Sequence, residues 1–128
     1  MRLLVDTHAF LWAVLEDRKL SADARAQWLH PETDLYISPA SLWEIAIKVG
    51  LGKLKIAQPL DQFFELELFS NDLKLLPIAP DHAARVATLP HLHGDPFDRM
   101  LVAQSLCESL PILSADAVLD GYGVQRVW

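Results

Sequence analysis

Carboxylates at five positions are the side chains of this chain most able to do chemistry. They are Asp6, Glu44, Asp95, Asp98 and Asp116. Two carboxylates about 4 Å apart repel each other by about 4 kcal/mol at an effective dielectric constant of about 20. A cluster of four therefore needs bound protons or a cation among them. Oxygen ligands favour Mg²⁺, or alternatively Mn²⁺, and such ions activate water and stabilise a phosphoryl transition state.

The stretch 93–104 carries two of these carboxylates at the start of a predicted helix. Asp95 is a good N-cap, Pro96 suits the first helical position, and Asp98 falls at the third. The structural interpretation is a well-capped helix whose acids suit its dipole. The functional interpretation depends on the acids elsewhere in the chain, because helix caps of this kind are common.

Glu44 is unusual because its helical neighbours Trp43 and Ile45 are apolar, so its carboxylate risks partial burial. The alternative is an exposed ion pair with Lys48 four residues later. A surface pair of this kind contributes only about 0.3 kcal/mol. Both interpretations remain open from the sequence.

Short apolar runs alternate with helical patterns, which predicts an α/β fold. The predicted strands are residues 2–6, 35–37, 73–78, 111–113 and 124–128. Thr7 can cap the first predicted helix, and the others start at Ser21, Ser38, Pro59, Asp81 and Asp95. The six helices end near residues 15, 30, 50–52, 71, 88 and 109. We expect a single three-layer domain over residues 1–128, with a mostly parallel sheet covered by helices on both faces.

This topology would bring most of the acids to one edge of the sheet. Asp6 ends the first strand and Asp116 follows the fourth. Asp95 and Asp98 start the helix that leads into the fourth strand, and helix N-termini lie on the same edge. Ligands of open parallel sheets bind beyond the carboxyl ends of the strands. The acids therefore predict a cation site there.

Composition limits the class of protein. The 128 residues are 52% hydrophobic and carry a net charge of −6, with 11 basic residues scattered along the chain. This charge disfavours a passive nucleic-acid binder unless a bound cation reverses the local sign. No apolar run is long enough for a membrane helix, and the start is a strand rather than a signal peptide. Cys107 is the only cysteine, so we expect a reducing cytoplasmic environment.

Four short motifs occur in a fixed order that covers nearly the whole chain. The motifs are Val5-Asp6-Thr7-His8, Trp43-Glu44-Ile45, Asp95-Pro96-Phe97-Asp98-Arg99 and Leu113-Ser114-Ala115-Asp116. In these motifs and their order, the chain resembles the PIN-domain ribonucleases of the VapC type, which are toxins of type II toxin–antitoxin pairs.

The resemblance implies a PIN-like fold and Mg²⁺-dependent endonucleolytic cleavage of RNA. It assigns the first, second and fourth family acids to Asp6, Glu44 and Asp116. The third acid of the family precedes an aliphatic run, which matches Asp98 before 101–103. Asp95 is then the helix cap or an outer-shell acid.

Further residues take lesser roles under the same resemblance. Thr7 and Ser114 resemble the hydroxyl residues that accompany the family's acids. Arg99 and Lys48 are the candidates for contacts with RNA phosphates, although an exposed helix arginine is the simpler interpretation of Arg99.

The segment 60–69 is apolar around most of a helix, with aromatic residues at 63, 64 and 69. Such a patch favours a protein contact over exposure to water, and a central core helix is the alternative. The resemblance implies two partners, a second copy of the chain in a homodimer and a cognate antitoxin that covers the acidic pocket.

Two other classes of function compete with the nuclease. A phospho-acceptor signalling domain is also doubly wound with an acidic pocket, but it needs paired acids near strand one, where Thr7 follows Asp6. A non-catalytic partner-binding α/β module would use every acid as a cap or salt bridge. Cleavage that depends on a divalent metal separates the nuclease from both.

Overall fold

A computed structural model describes residues 1–128 as one α/β domain with five strands, six α-helices and two short 3-10 turns. The strands are β1 (Arg2–Val5), β2 (Asp34–Ile37), β3 (Leu73–Leu75), β4 (Ile112–Leu113) and β5 (Arg126–Val127). The helices are α1 (Thr7–Leu15), α2 (Ala22–Leu29), α3 (Pro39–Gly50), α4 (Leu60–Ser70), α5 (Pro80–Val86) and α6 (Pro96–Glu108). The 3-10 turns at Asp17–Lys19 and Ala117–Tyr122 have no counterpart in the sequence prediction.

The five strands form one parallel sheet in the order β3-β2-β1-β4-β5, which confirms the predicted α/β class. The third and fifth strands are shorter than predicted. β3 ends at Leu75, and one further bond joins the Leu76 amide to the carbonyl of Ile37 at 2.8 Å. Pro77 then has no N–H to donate, so pairing stops.

Alternating side chains of β1 fill two separate cores, one on each face of the sheet. Leu3 and Val5 pack with Phe10 of α1 and Phe63 of α4. Leu4 points to the opposite face and packs in a second cluster with Leu101 of α6. Because both faces are buried, the strands read as continuous apolar runs and the domain has three layers, as expected. None of the helices is long and apolar enough to span a membrane.

Helix α4 combines a core residue with an exposed apolar edge. Phe63 is buried and contacts Phe10 edge-to-face, with 6.2 Å between the ring centroids. Leu66 and Phe69 lie on the outer side of the helix and are 52% and 86% exposed. The core interpretation of segment 60–69 is therefore right for Phe63, and the surface interpretation is right for Phe69.

We expect Phe63→Ala to lower the free energy of unfolding by about 3 to 5 kcal/mol, because it leaves a cavity between α1 and α4. Phe69→Ala, on the same helix, should change it by less than about 0.5 kcal/mol because that ring is exposed. Urea denaturation followed by circular dichroism measures both. Equal losses from the two variants would show that α4 packs differently from this description.

Candidate active site

The order of the strands places a crevice between β1 and β4. From β1 the chain moves to β2 on one side, and β4 lies on the other side. Ligands of open parallel sheets bind at such a switch point, beyond the carboxyl ends of the strands. Asp6 directly follows β1, and Ser114 and Asp116 follow β4. These three residues therefore lie where ligands of this type of sheet bind.

Asp6 is 5% exposed and is held at the start of α1. It is the N-cap of this helix, and its carboxylate accepts a hydrogen bond from the amide of Ala9 at 2.7 Å. Burial raises the pKa of Asp6, whereas the Ser114 hydroxyl and the Ala9 amide lower it. Asp116 adds a repulsive charge. Asp6 is therefore a buried carboxylate in a partly compensated environment.

The prediction that Thr7 caps α1 is wrong, because Asp6 fills that position and Thr7 is the first helical residue. The Thr7 hydroxyl is buried and donates to the hydroxyl of Ser41 at 3.0 Å. This bond ties the start of α1 to α3. Ser41, which the sequence analysis did not single out, lies one turn before Glu44 and helps to hold that helix against Asp6.

Glu44 is buried and ion-paired at the same time. Its side chain is 9% exposed, and a carboxylate oxygen lies 3.1 Å from Nζ of Lys48. The burial that its apolar neighbours indicated is confirmed, and of the alternative, an exposed pair with Lys48, the pairing is right and the exposure of Glu44 is wrong. A buried carboxylate with one lysine partner retains oxygen acceptors, so Glu44 can serve both Lys48 and a ligand.

Asp95 and Asp98 have different roles at the start of α6, one as the helix cap and the other as the acid that faces the site. Asp95 caps the helix and accepts from the amides of Phe97 and Asp98. Asp98 is half-buried, and its pKa is raised to about 6, mainly by burial and next by the charge of Asp95. The charges of Asp6 and Glu44 raise it further. The fold thus brings Asp98 within electrostatic reach of both.

Asp116 occupies the exposed side of this group. Its carboxylate accepts from the amide of Val118 and caps the 3-10 turn after β4. Its own amide donates to the hydroxyl of Ser114 at 3.0 Å. Ser114 is fully buried, so one hydroxyl connects the two acids that follow β1 and β4.

A chain of hydrogen bonds behind Asp98 was not anticipated from the sequence. Arg99 donates to the hydroxyl of Tyr122 at 3.3 Å, and that hydroxyl contacts Nδ1 of His93. Nε2 of His93 contacts the carboxylate of Asp98 at 3.3 Å. An ionised carboxylate only accepts, so Nε2 of His93 donates to Asp98, and in the neutral ring Nδ1 then accepts from the Tyr122 hydroxyl. The sequence signal was the position of His93 at the start of the 93–104 stretch.

The expectation of an exposed Arg99 side chain is wrong, and its burial disfavours the proposed contact with RNA phosphates. Arg99 is 8% exposed, and its two terminal nitrogens donate to backbone carbonyls of the 86–90 segment besides Tyr122. Its positive charge therefore holds the loop before α6 in place. An arginine in an amphipathic helix gives no sequence signal that separates these two roles.

The donor set suits a divalent cation held partly through water. Asp6 and Glu44 are buried, and Asp98 carries repulsive charge that a cation would relieve. No three of the predicted acids have oxygens that all lie within 4.8 Å of one another. Mg²⁺ commonly keeps several waters and takes few carboxylates directly, so this wider spacing fits it.

A tighter group elsewhere is a poor metal site. Asp81, His82 and Glu108 have ligand atoms within 4.8 Å of one another. Nδ1 of His82 accepts from the amide of Ala79, so Nε2 must carry the proton that faces Glu108 at 2.8 Å. Both ring nitrogens are therefore used in joining α5 to α6, and neither offers a free lone pair.

Comparison with protein families identifies the family of this fold. The PIN domain model matches residues 3–124. The chain belongs to the PIN domain family. The match spans β1 through the turn after β4 and includes all five acids discussed above. No curated protein matches the chain by sequence.

Solved structures share the PIN fold over nearly their full length. VapBC2 from Rickettsia felis, bound to a promoter DNA fragment, has a TM-score of 0.72 at 13% identity and covers 98% of this chain and 97% of that chain. VapBC-1 from nontypeable Haemophilus influenzae has a TM-score of 0.67 at 17% identity, covering 98% and 96%. FitAcB from Neisseria gonorrhoeae has a TM-score of 0.65 at 20% identity, also covering 98% and 96%. At these identities the likeness establishes the fold.

The raised pKa of Asp98 predicts that Asp98→Asn stabilises the protein in EDTA at pH 7.5, by about 1 to 2 kcal/mol after allowance for solvent screening of this half-buried group. The folded state keeps the Asp98 proton up to about pH 6, whereas the unfolded chain loses it near pH 4. Stability of the wild type therefore falls across that interval, and the difference between the two proteins vanishes below about pH 4. Urea denaturation at a series of pH values measures this.

Asp120→Asn is the matched control, because Arg126 lowers the pKa of Asp120. Its effect should have the opposite sign, with the wild type favoured at neutral pH. A difference between Asp98→Asn and wild type that does not change with pH would contradict the electrostatic account of the site.

Proposed function

We propose that this PIN domain is a Mg²⁺-dependent endoribonuclease that hydrolyses RNA phosphodiester bonds, with Mn²⁺ as an alternative ion. The observation that carries the proposal is the convergence of buried and crowded carboxylates at the sheet's switch point. Asp6, Glu44 and Asp98 come from three separate elements and influence the same position. A structural role accounts for Asp95 as the cap of α6. The cap formed by Asp6 and the Lys48 partner of Glu44 only partly offset the cost of burying those charges close to Asp98.

Each acid has a role that follows from its surroundings. Asp6, Asp98 and Asp116 hold the cation, either directly or through its waters. Glu44 completes the set as a ligand or orients the attacking water, with Lys48 fixing one of its oxygens. Ser114, Thr7 and Asp95 keep the acids in place. When bound, the ion supplies positive charge at the phosphodiester and a more acidic water.

His93 orients Asp98 for this role. It accepts a hydrogen bond from the Tyr122 hydroxyl at Nδ1 and donates one from Nε2 to the carboxylate of Asp98. Hydrogen bonds to a ligating carboxylate fix its orientation and are a common part of metal sites. Because Arg99 holds Tyr122, the orientation of Asp98 is determined by buried groups rather than by solvent.

We further propose that the protein is the toxin of a type II toxin–antitoxin pair. The sequence motifs resemble VapC, and the similar structures VapBC and FitAB are toxin–antitoxin complexes. The implied partners are a cognate antitoxin that covers the acidic pocket and a second copy of the chain. The outer edge of α4, with Leu66 and Phe69 exposed, supports a protein contact. The single cysteine is compatible with a reducing cytoplasm.

The alternatives are less well supported. A phospho-acceptor domain has a different family pattern, and the PIN match over residues 3–124 favours the nuclease. A non-catalytic binding module would have no use for a half-buried carboxylate whose pKa lies at about 6. Buried unpaired charge costs stability, and it is commonly kept where a site needs it.

We expect Asp6→Asn and Asp98→Asn each to lower Mg²⁺-dependent cleavage of total RNA by at least about 100-fold, because each removes a cation ligand. Asp95→Asn should lower it less than about tenfold, since asparagine also caps a helix. Single-time-point and rate assays with Mg²⁺ or EDTA measure this, with circular dichroism as the check of folding.

Asp120→Asn serves as the control, because it removes an exposed acid outside the site. Equal losses from Asp95→Asn and Asp98→Asn would overturn the choice of Asp98 as third acid. Cleavage that persists in EDTA would contradict the metal-dependent reaction.

We expect the purified chain to sediment as a dimer, and a Leu66→Ser, Phe69→Ser double variant to shift toward the monomer. Both side chains are exposed, so the variant should keep its fold. Analytical ultracentrifugation at tens of micromolar measures the association. A wild-type chain that is a clean monomer at this concentration would overturn the homodimer, whatever the result for the nuclease.

A further inference from the structure

Two adjoining grooves lead away from the proposed active site, and lysines line both. The first groove has a volume of about 400 Å³ and lies between the end of α3 and the start of α6, with Glu44 and Asp95 in its wall. The second has a volume of about 250 Å³ and lies against α1, with His8 and Trp12 in its wall. Lys48 and Lys53 line both grooves, which joins them into one path.

The backbone after α3 places Lys53 on this path. Gly52 has a φ of 73°, the left-handed conformation that favours glycine, and it reverses the chain. The Lys53 amide then donates to the carbonyl of Lys48 at 2.9 Å. Two lysines that are five residues apart in the sequence therefore lie side by side, next to Glu44.

Lys53 also keeps its charge available. Of the five lysines, Lys19, Lys48 and Lys74 each lie within 4.0 Å of a carboxylate. Lys53 and Lys55 do not, and only Lys53 lines the grooves. In a chain of net charge −6, Lys53 therefore places an ammonium group without a carboxylate partner next to the acids of the proposed active site.

The far end of the path adds aromatic rings to the positive charge. His8 and Trp12 have ring centroids 6.0 Å apart, and Lys19 Nζ lies 5.8 Å from the Trp12 ring. His8 is exposed and Lys19 is half exposed. Proteins that bind single strands combine a basic groove with aromatic side chains on which bases stack.

We propose that a single-stranded RNA segment on one side of the scissile phosphate lies along this path. Its phosphates contact Lys53, and they also contact Lys48 and Lys19, whose ammonium groups each keep donors beyond the one used by Glu44 or Glu16. A base packs against His8 and Trp12. This inference rests on the proposed nuclease function and adds the route of the substrate. It also explains how an acidic protein holds a polyanion, because the three lysines offset the charges of Glu16, Glu44 and Asp95 along the grooves and a bound cation would add positive charge at the active-site end.

The test measures RNA binding separately from cleavage, in an Asp98→Asn background. The probe is a fluorescein-labelled oligouridine of about 12 nucleotides, followed by anisotropy over a range of salt concentrations. We expect Lys53→Gln and Lys19→Gln each to weaken binding about fivefold at about 0.1 M salt. Each should also lower the slope of log affinity against log salt by about 0.7. Lys55→Gln removes the same charge outside the grooves and should have little effect.

Several results would overturn the proposal. An Asp98→Asn chain that binds no oligouridine at low salt is one, and equal effects of Lys53→Gln and Lys55→Gln are another. Lys53 could instead stabilise the C-terminus of α3, in which case Lys53→Gln would lower the melting temperature and leave RNA binding unchanged. Polyglutamate that competes as well as RNA at equal charge would indicate an acidic protein segment as the occupant.

The two proposals fail in different ways. Wild-type protein that binds RNA through Lys53 but cuts no RNA with Mg²⁺ contradicts the nuclease and leaves the path intact. An active nuclease whose RNA binding and cleavage are unaffected by Lys53→Gln and Lys19→Gln contradicts the path alone.

Discussion

The rest of this structure depends on one constraint, which is that several carboxylates lie close together in a partly buried site. Asp6 and Glu44 are buried and Asp98 is half-buried. Burial raises the pKa of Asp6 and of Asp98, and neighbouring carboxylates raise both further. The parallel sheet creates the problem, because it brings the ends of β1 and β4 together. The same sheet also provides the solution, because helix N-termini with free amides lie at that edge.

Hydroxyl groups and a buried arginine keep the carboxylates in position. Ser114 connects the acids after β1 and β4, and the bond between Thr7 and Ser41 fixes α1 against α3. Behind Asp98, the chain from Arg99 through Tyr122 to His93 ends in a proton directed at the carboxylate. Preorganised groups of this kind are what a cation site needs, since they cost no rearrangement when the ligand arrives.

The sequence predicted the architecture well because periodicity and capping are local properties. All five strands and six helices were placed within a few residues, and Asp95 was identified as a cap. Two short 3-10 turns were missed because their stretches carry no periodic signal. The third strand was predicted over 73–78 but ends at residue 75, because the sequence stays apolar beyond the point where Pro77 ends the pairing.

Errors at the site came from contacts between distant elements. Arg99 was expected to be exposed, yet the loop 86–90 folds over it and takes up its donors. Neither His93 nor Ser41 was assigned a role, because each acts through a partner elsewhere in the fold. The lysine path was missed for the same reason. Lys19 joins Lys48 and Lys53 only after α1 and α3 pack together.

The central claim is that the crowded carboxylates are a cation site, and thermal unfolding with and without Mg²⁺ tests it most directly. A cation that binds the folded state raises the melting temperature. The account predicts a rise with millimolar Mg²⁺ at pH 7.5 that shrinks below about pH 6, where Asp98 takes up a proton. The rise should be lost in an Asp6→Asn, Asp98→Asn double variant. A wild-type melting temperature that is indifferent to Mg²⁺, or a rise that the double variant retains, would contradict the account.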